Sequence, residues 1–192
     1  MNRRMIINSV GLVLRVEAAL LLLPAAVGML YGEKQTLIAF LISAALSLLL
    51  GLLPKLFLKP KTHVIYAKEG FIIVAFTWIM LSLVGAVPLV LAGAVTSYAD
   101  AFFEIVSGFT TTGSSVIPDV EVLSHGALFW RSFTHWVGGM GIIVFVMAIL
   151  PNVSERPIHI LRAEIPGPTV GKLVPRIKDT ALILYLIYIV MT

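Results

Sequence analysis

The stretch SYADAFFEIVSGFTTTGSS, residues 97–115, decides how this chain folds. Its first part is helix material. Ser97 is an N-cap candidate, and Asp100 and Glu104 stand in the early turns, where carboxylates complement the positive end of a helix dipole. Phe102, Phe103, Ile105 and Val106 carry the helix into an apolar environment. From Tyr98 to Phe109 it would be about 18 Å long at ~1.5 Å per residue, roughly half of a ~30 Å hydrocarbon core. The spacing therefore predicts a re-entrant helix, one that enters a membrane and does not cross it. Thr110, Thr111, Thr112, Gly113, Ser114 and Ser115 follow, β-branched and small residues that favour extended backbone over helix. Extended backbone at membrane depth survives only inside protein or along a wet cavity, and its unpaired carbonyls can replace the hydration shell of a cation. The carboxyl end of the short helix aims a partial negative charge at the same spot. Read alone, a Thr/Ser/Gly run is an ordinary solvated loop, and its flanks decide against that.

Those flanks are apolar on both sides. Runs cover Met5–Leu30, Thr36–Leu58, Gly70–Val95, Ala127–Leu150 and Thr180–Thr192. The first would be about 39 Å long as a helix, too long for the apolar region of a signal peptide despite Arg3 and Arg4 ahead of it. Four runs are complete spans. The fifth holds 13 residues against the ~20 a span needs, so it reads as a membrane helix cut short. Composition agrees: 59% of the 192 residues are apolar and 12% charged, far from the ~25% charge of a soluble domain. The formal charge of +4 would invite a nucleic-acid reading in a soluble protein, but here placement matters more than the sum, and nucleic acid is not expected. With no cysteine, disulfides, thiolate metal sites and thiol nucleophiles are excluded.

Charge placement gives orientation, because Lys and Arg in short loops stay on the cytoplasmic side. Arg3, Arg4, Lys55, Lys59, Lys61, Lys68, Arg156, Arg162, Lys172, Arg176 and Lys178 share one side. The other side holds Lys34, and between 96 and 126 it carries Asp100, Glu104, Asp119 and Glu121 with no cation. The amino terminus is therefore expected in the cytoplasm. The order helix, re-entrant helix, filter, helix is what a cation pore repeat requires.

Asp100–Glu104, Ser107–Gly113 and the later Gly138-Gly139-Met140-Gly141-Ile142-Ile143 together resemble the TrkH branch of the Trk/Ktr potassium transporters. The resemblance extends over the whole chain. It implies an all-α membrane protein in which an amino-terminal helix pair precedes four pseudo-repeats around one pore. Residues 1–60 would be the pair and 61–150 the first repeat, with helices at 69–95 and 127–150, a pore helix at 98–109 and a filter at 110–115. Residues 151–177, with Pro151, Pro157, Pro166, Pro168 and Pro175, would be a cytoplasmic linker, and 178–192 the start of the second repeat. The resemblance further implies potassium uptake, with the backbone carbonyls of Thr110, Thr111, Thr112 and Gly113 as ligands, Thr111 and Thr112 foremost, and Ser114 and Ser115 at the outer mouth. This chain would supply one quarter of the filter. Unlike the TVGYG loops of potassium channels it has one glycine and no tyrosine, which suggests less stringent discrimination among K+, Rb+ and Na+. The resemblance implies K+ as the transported ion with no covalently bound cofactor, a nucleotide-binding TrkA-like regulatory ring on the cytosolic side, a homodimer of the full-length chain, and a bacterial inner membrane.

Other polar residues fit that frame or stand outside it. Gly138, Gly139 and Gly141 suit close helix packing, or a wide vestibule below the filter. Arg131, one turn inside the fourth run, can snorkel to the interface or pair with Glu104 or Asp100 and brace the pore helix. Arg15 and Glu17 are two residues apart and do not face each other on a helix. Ser132 and His135 share a helix face as a nucleophile and base might, yet no orienting carboxylate, GxSxG turn or HExxH accompanies them, so an enzyme is not expected. His63, His125 and His159 read as solvent-facing loop residues. A non-conducting or regulatory membrane subunit is the alternative function, and it leaves the threonine run without a role.

Overall fold

The computed structural model describes residues 3–57, 67–141, 186–188 and 190. Six helices follow in order: α1 (Arg3–Leu20), α2 (Leu22–Leu30), α3 (Lys34–Phe57), α4 (Ala67–Leu91), α5 (Tyr98–Phe109) and α6 (His125–Met140). No strand occurs among the described residues. Helices α1 and α2 form one rod broken only at Leu21, where Pro24 has no N–H to give the Leu20 carbonyl. That 28-residue rod, the 24 residues of α3 and the stretch Glu69–Leu91 of α4 are each long and apolar enough to cross a membrane. The chain is an all-α membrane protein.

Small residues set the closest approach. A Cβ on Gly51 would lie 2.7 Å from the Gly11 carbonyl oxygen, so α1 and α3 touch backbone to backbone. Where the lipid-facing side of α3 shows Leu41, Leu48 and Leu49, its inner side carries Ala39, Phe40, Ser43, Ala44 and Ser47. Ser47 places its hydroxyl 2.8 Å from the Leu14 carbonyl and 2.9 Å from Oε2 of Glu17, whose side chain is buried. Arg15 turns back on its own helix, its Nε donating to the Gly11 carbonyl at 3.2 Å. The two ionisable residues of the first span thus find separate partners.

Trp130 of α6 sits at the centre. Its ring is buried, meets Phe40 and Phe109 edge-on at centroid distances of 6.3 and 6.4 Å, and its Nε1 donates to the Gly85 carbonyl of α4 at 3.0 Å. This one side chain locks α5 into the cradle between α4 and α6. The fourth apolar run is not one continuous helix over its expected length. α6 closes at Met140, where Gly141 takes φ 77, ψ 126; residues 142–150 lie outside the described residues. The proline-containing segment 151–177, His63 and His159 lie outside them as well.

Candidate functional site: the segment after the short helix

Helix α5 begins as its sequence asks. Ser97 is extended, φ −100 and ψ 133, and its hydroxyl accepts from the Ala99 N–H at 3.2 Å, with Asp100 in the first turn. Its other end closes in a less expected way. The Thr111 N–H donates to the Gly108 carbonyl and the Thr112 N–H to that of Ser107, each at 2.9 Å. This pair of bonds is a Schellman cap, which requires a left-handed residue one place beyond the cap position, ordinarily glycine. Here that residue is Thr111 at φ 55. Thr110 therefore turns back to finish the helix instead of running extended, and regular structure is absent from 112–115.

The sign of φ alternates through the segment. Thr110 has φ −84 and ψ 0, Thr111 is left-handed, Thr112 is not, and Gly113 has φ 76. The hydroxyls of Thr110 and Thr112 are occupied internally. Thr110 gives its one proton to the Val106 carbonyl at 2.7 Å, which leaves Thr112 as donor in the 2.8 Å bond between the two hydroxyls. Among the described residues no donor is bonded to the carbonyls of Thr110, Thr111, Thr112 or Gly113. All four residues are exposed.

The next residues are fastened rather than free. Ser107 donates to the Ser114 carbonyl at 2.6 Å, so that carbonyl faces back to α5. The Ser115 hydroxyl and the Val116 N–H both reach Oε1 of Glu104, at 2.7 and 2.6 Å. Oε2 of the same carboxylate accepts from Nε of Arg131 at 2.8 Å. Arg131 thus pairs across to α5 instead of snorkelling, and Glu104, not Asp100, is its partner. Below the segment, a Cβ on Gly138 would overlap the Phe109 carbonyl, so α6 meets the end of α5 at backbone distance. Gly139 faces the Tyr188 hydroxyl, and Gly141 ends the helix. Ser132 and His135 do not meet as a catalytic pair: the His135 ring bonds the Arg131 carbonyl at 2.9 Å.

One polar cluster had no signal in the sequence. Glu33, in the turn between α2 and α3, accepts from the backbone N–H of His125 at 2.7 Å and of Gly126 at 3.2 Å, and its Oε1 lies 2.9 Å from His125 Nδ1. Tyr31 stacks on the His125 ring at 3.8 Å. A carboxylate from another element therefore caps the start of α6, which its own Ser124 side chain does not. Burial pushes the Glu33 carboxyl up, but the His125 N–H, the His125 ring and the Gly126 N–H outweigh it and hold it below its ordinary value.

A family model described as TrkH, cation transport protein, matches residues 36–192. The Trk system potassium uptake protein TrkH of Halomonas elongata is 37% identical over 197 residues, a match covering 100% of this chain and 40% of the relative. That of Vibrio parahaemolyticus is 38% identical over 194 residues, with the same coverage. The crystal structure of the potassium transporter TrkH from Vibrio parahaemolyticus matches 98% of this chain and 37% of its own, at 35% identity and a TM-score of 0.77. The chain spans about two fifths of the length of these relatives.

Proposed function

Since the chain belongs to the TrkH family of cation transport proteins, we propose that it takes part in potassium uptake and that Thr110, Thr111, Thr112 and Gly113 supply one quarter of a filter of backbone carbonyls. One observation carries the reading: among the described residues, four successive carbonyls at the end of the half-buried helix α5 are left without a hydrogen-bond donor, on backbone whose φ alternates in sign. Carbonyl oxygens in that state can take the place of water around K+. The carboxyl end of α5 adds its partial negative charge at the same point. Thr111 and Thr112 are the central ligands, and Rb+, and Na+ less well, are the ions expected to compete. Ser114 and Ser115 bound the outer mouth, holding it to α5 rather than lining it with carbonyls.

Residues 1–60 form the amino-terminal helix pair, 61–150 the first pore repeat, 151–177 a linker and 178–192 the start of a second repeat. The cation-rich end faces the cytosol of a bacterial inner membrane. A nucleotide-binding TrkA-like ring there and pairing of two full-length chains complete the assembly. Transport rather than catalysis is the role of Gly138, Gly139 and Gly141 too, which keep α6 close beneath the filter and end it there.

The test uses the native polypeptide expressed in cells stripped of their own potassium uptake. Gly113→Asp should abolish rubidium and potassium uptake while leaving the amount of protein in the membrane unchanged. A Cβ at Gly113 meets nothing within 4 Å, so the change acts through the backbone and the added charge, not through a clash. Unchanged uptake would falsify the assignment of this segment to the ion path.

A further inference from the structure

The filter segment is tethered at both of its ends and free in between. At the near end, N–H groups of Thr110, Thr111 and Thr112 hold to the carbonyls of Val106, Gly108 and Ser107. At the far end, Ser114, Ser115 and Val116 hold to Ser107 and Glu104. Between those anchors Gly113 touches nothing that a Cβ would meet. The position of the four free carbonyls is therefore set by where the two anchors lie. The near anchor is backbone on backbone. The far anchor depends on side chains, and above all on one carboxylate.

Glu104 is 1% exposed and its two oxygens divide the work. Oε1 faces the segment, taking the Ser115 hydroxyl and the Val116 N–H. Oε2 faces α6, taking Nε of Arg131, whose side chain is 15% exposed. A buried carboxylate left without its cation would be costly, and so would the guanidinium left without its anion. The pair therefore fixes the carboxylate, and the carboxylate fixes the segment. Hydrogen bonds of 2.6 to 2.8 Å to a charged acceptor are the short, strong kind.

We propose that Glu104 and Arg131 are positioning residues for ion discrimination: a charge pair that touches no ion sets the spacing of the carbonyls that do. The inference rests on the filter reading given above. A carbonyl ring discriminates between K+ and Na+ through the placement and stiffness of its oxygens. Loosening the far anchor must then degrade preference before it degrades flux.

Glu104→Gln keeps the shape but turns one acceptor into a donor, which then faces either the Arg131 Nε–H or the Val116 N–H. In the native polypeptide its K+ over Na+ preference, read as competition for rubidium uptake, should fall about tenfold, the size to which ~1.4 kcal/mol from one lost charge-assisted bond converts. Arg131→Lys keeps the charge and should retain most of the preference. Ser115→Ala removes a single tether and leaves the buried pair whole, so it covers the case in which Glu104→Gln fails to reach the membrane. Its preference should fall about threefold, less than for Glu104→Gln, because Ser115 is exposed and the Val116 N–H keeps its bond to the same carboxylate oxygen. An unchanged ion preference in Ser115→Ala, or in a membrane-inserted Glu104→Gln, overturns the inference. Gly113→Ala, measured alongside, separates the two levels. If it alters preference and the tether variants do not, only the positioning role fails. If none of them does, the filter reading fails with it.

Discussion

A threonine at φ 55 holds conformational energy that a glycine would not. Thr111 is β-branched, and its Cβ crowds the following carbonyl in the left-handed region at a cost of about 1–2 kcal/mol. Local propensity asks for an extended residue there, and the Schellman cap of α5 demands a left-handed one; the cap wins because two backbone bonds depend on it. Strain of this kind persists where the surroundings over-determine it, and it gathers at functional sites. Thr111→Gly should therefore raise the thermal stability of the detergent-solubilised protein by about 0.5–1 kcal/mol, the relief less part of the glycine's larger unfolded-state entropy. Thr111→Val, equally β-branched, should bring no gain. A glycine variant whose unfolding midpoint matches or falls below that of the parent would mean that the turn costs threonine nothing. The same residue marks a limit of reading sequence: Thr110–Thr112 pointed to extended backbone through propensity, and the helix-end bonds that reverse it carry no compositional mark.

Elements meet through contacts of very different legibility. The bounds of α5 follow from local chemistry, a serine cap ahead of Tyr98 and a run of threonines after Phe109, and so are visible in the stretch itself. The pairing of Arg131 with Glu104 is visible as one of two options, since both acids lie on the neighbouring element and only packing selects between them. The capping of α6 by Glu33 is invisible, because it joins positions 92 apart and His125 looks like any exposed loop histidine. That cap has a pH signature of definite sign. The folded-state value of Glu33 is lowered, so its charge contributes stability above the ordinary carboxylate value of about 4.3 and the contribution is lost as pH falls through the lowered folded value. The stability difference between the parent and Glu33→Gln should shrink as pH falls below the ordinary carboxylate value. A difference that instead grows as pH falls below that value would place the carboxylate among neighbours that disfavour its charge.

On the scale of the whole molecule, parity is the decisive constraint. The turn holding Glu33 and the start of α6 at His125 are joined by a 2.7 Å bond, so they lie at one end of the bundle. Between them the chain runs along α3 and α4, two full crossings, and then along α5. Were α5 a third crossing, His125 would emerge at the far end, about 30 Å from Glu33. The 12 residues of α5, about 18 Å long, therefore only enter, and residues 110–124 return to the same end. Run length and charge placement made the spans readable in the sequence, but it is this long-range bond that removes α5 as a fourth crossing. Single cysteines at Lys34, Lys55 and Asp119, all exposed and in a stretch without native cysteine, test the arrangement directly. Lys34→Cys and Asp119→Cys should react with a membrane-impermeant maleimide added outside intact cells, and Lys55→Cys only after the membrane is opened. Labelling of all three with inside and outside exchanged would keep the fold and invert its orientation. Labelling of Asp119→Cys together with Lys55→Cys would make α5 a crossing helix, and the threonine segment could then not sit within the membrane at its end.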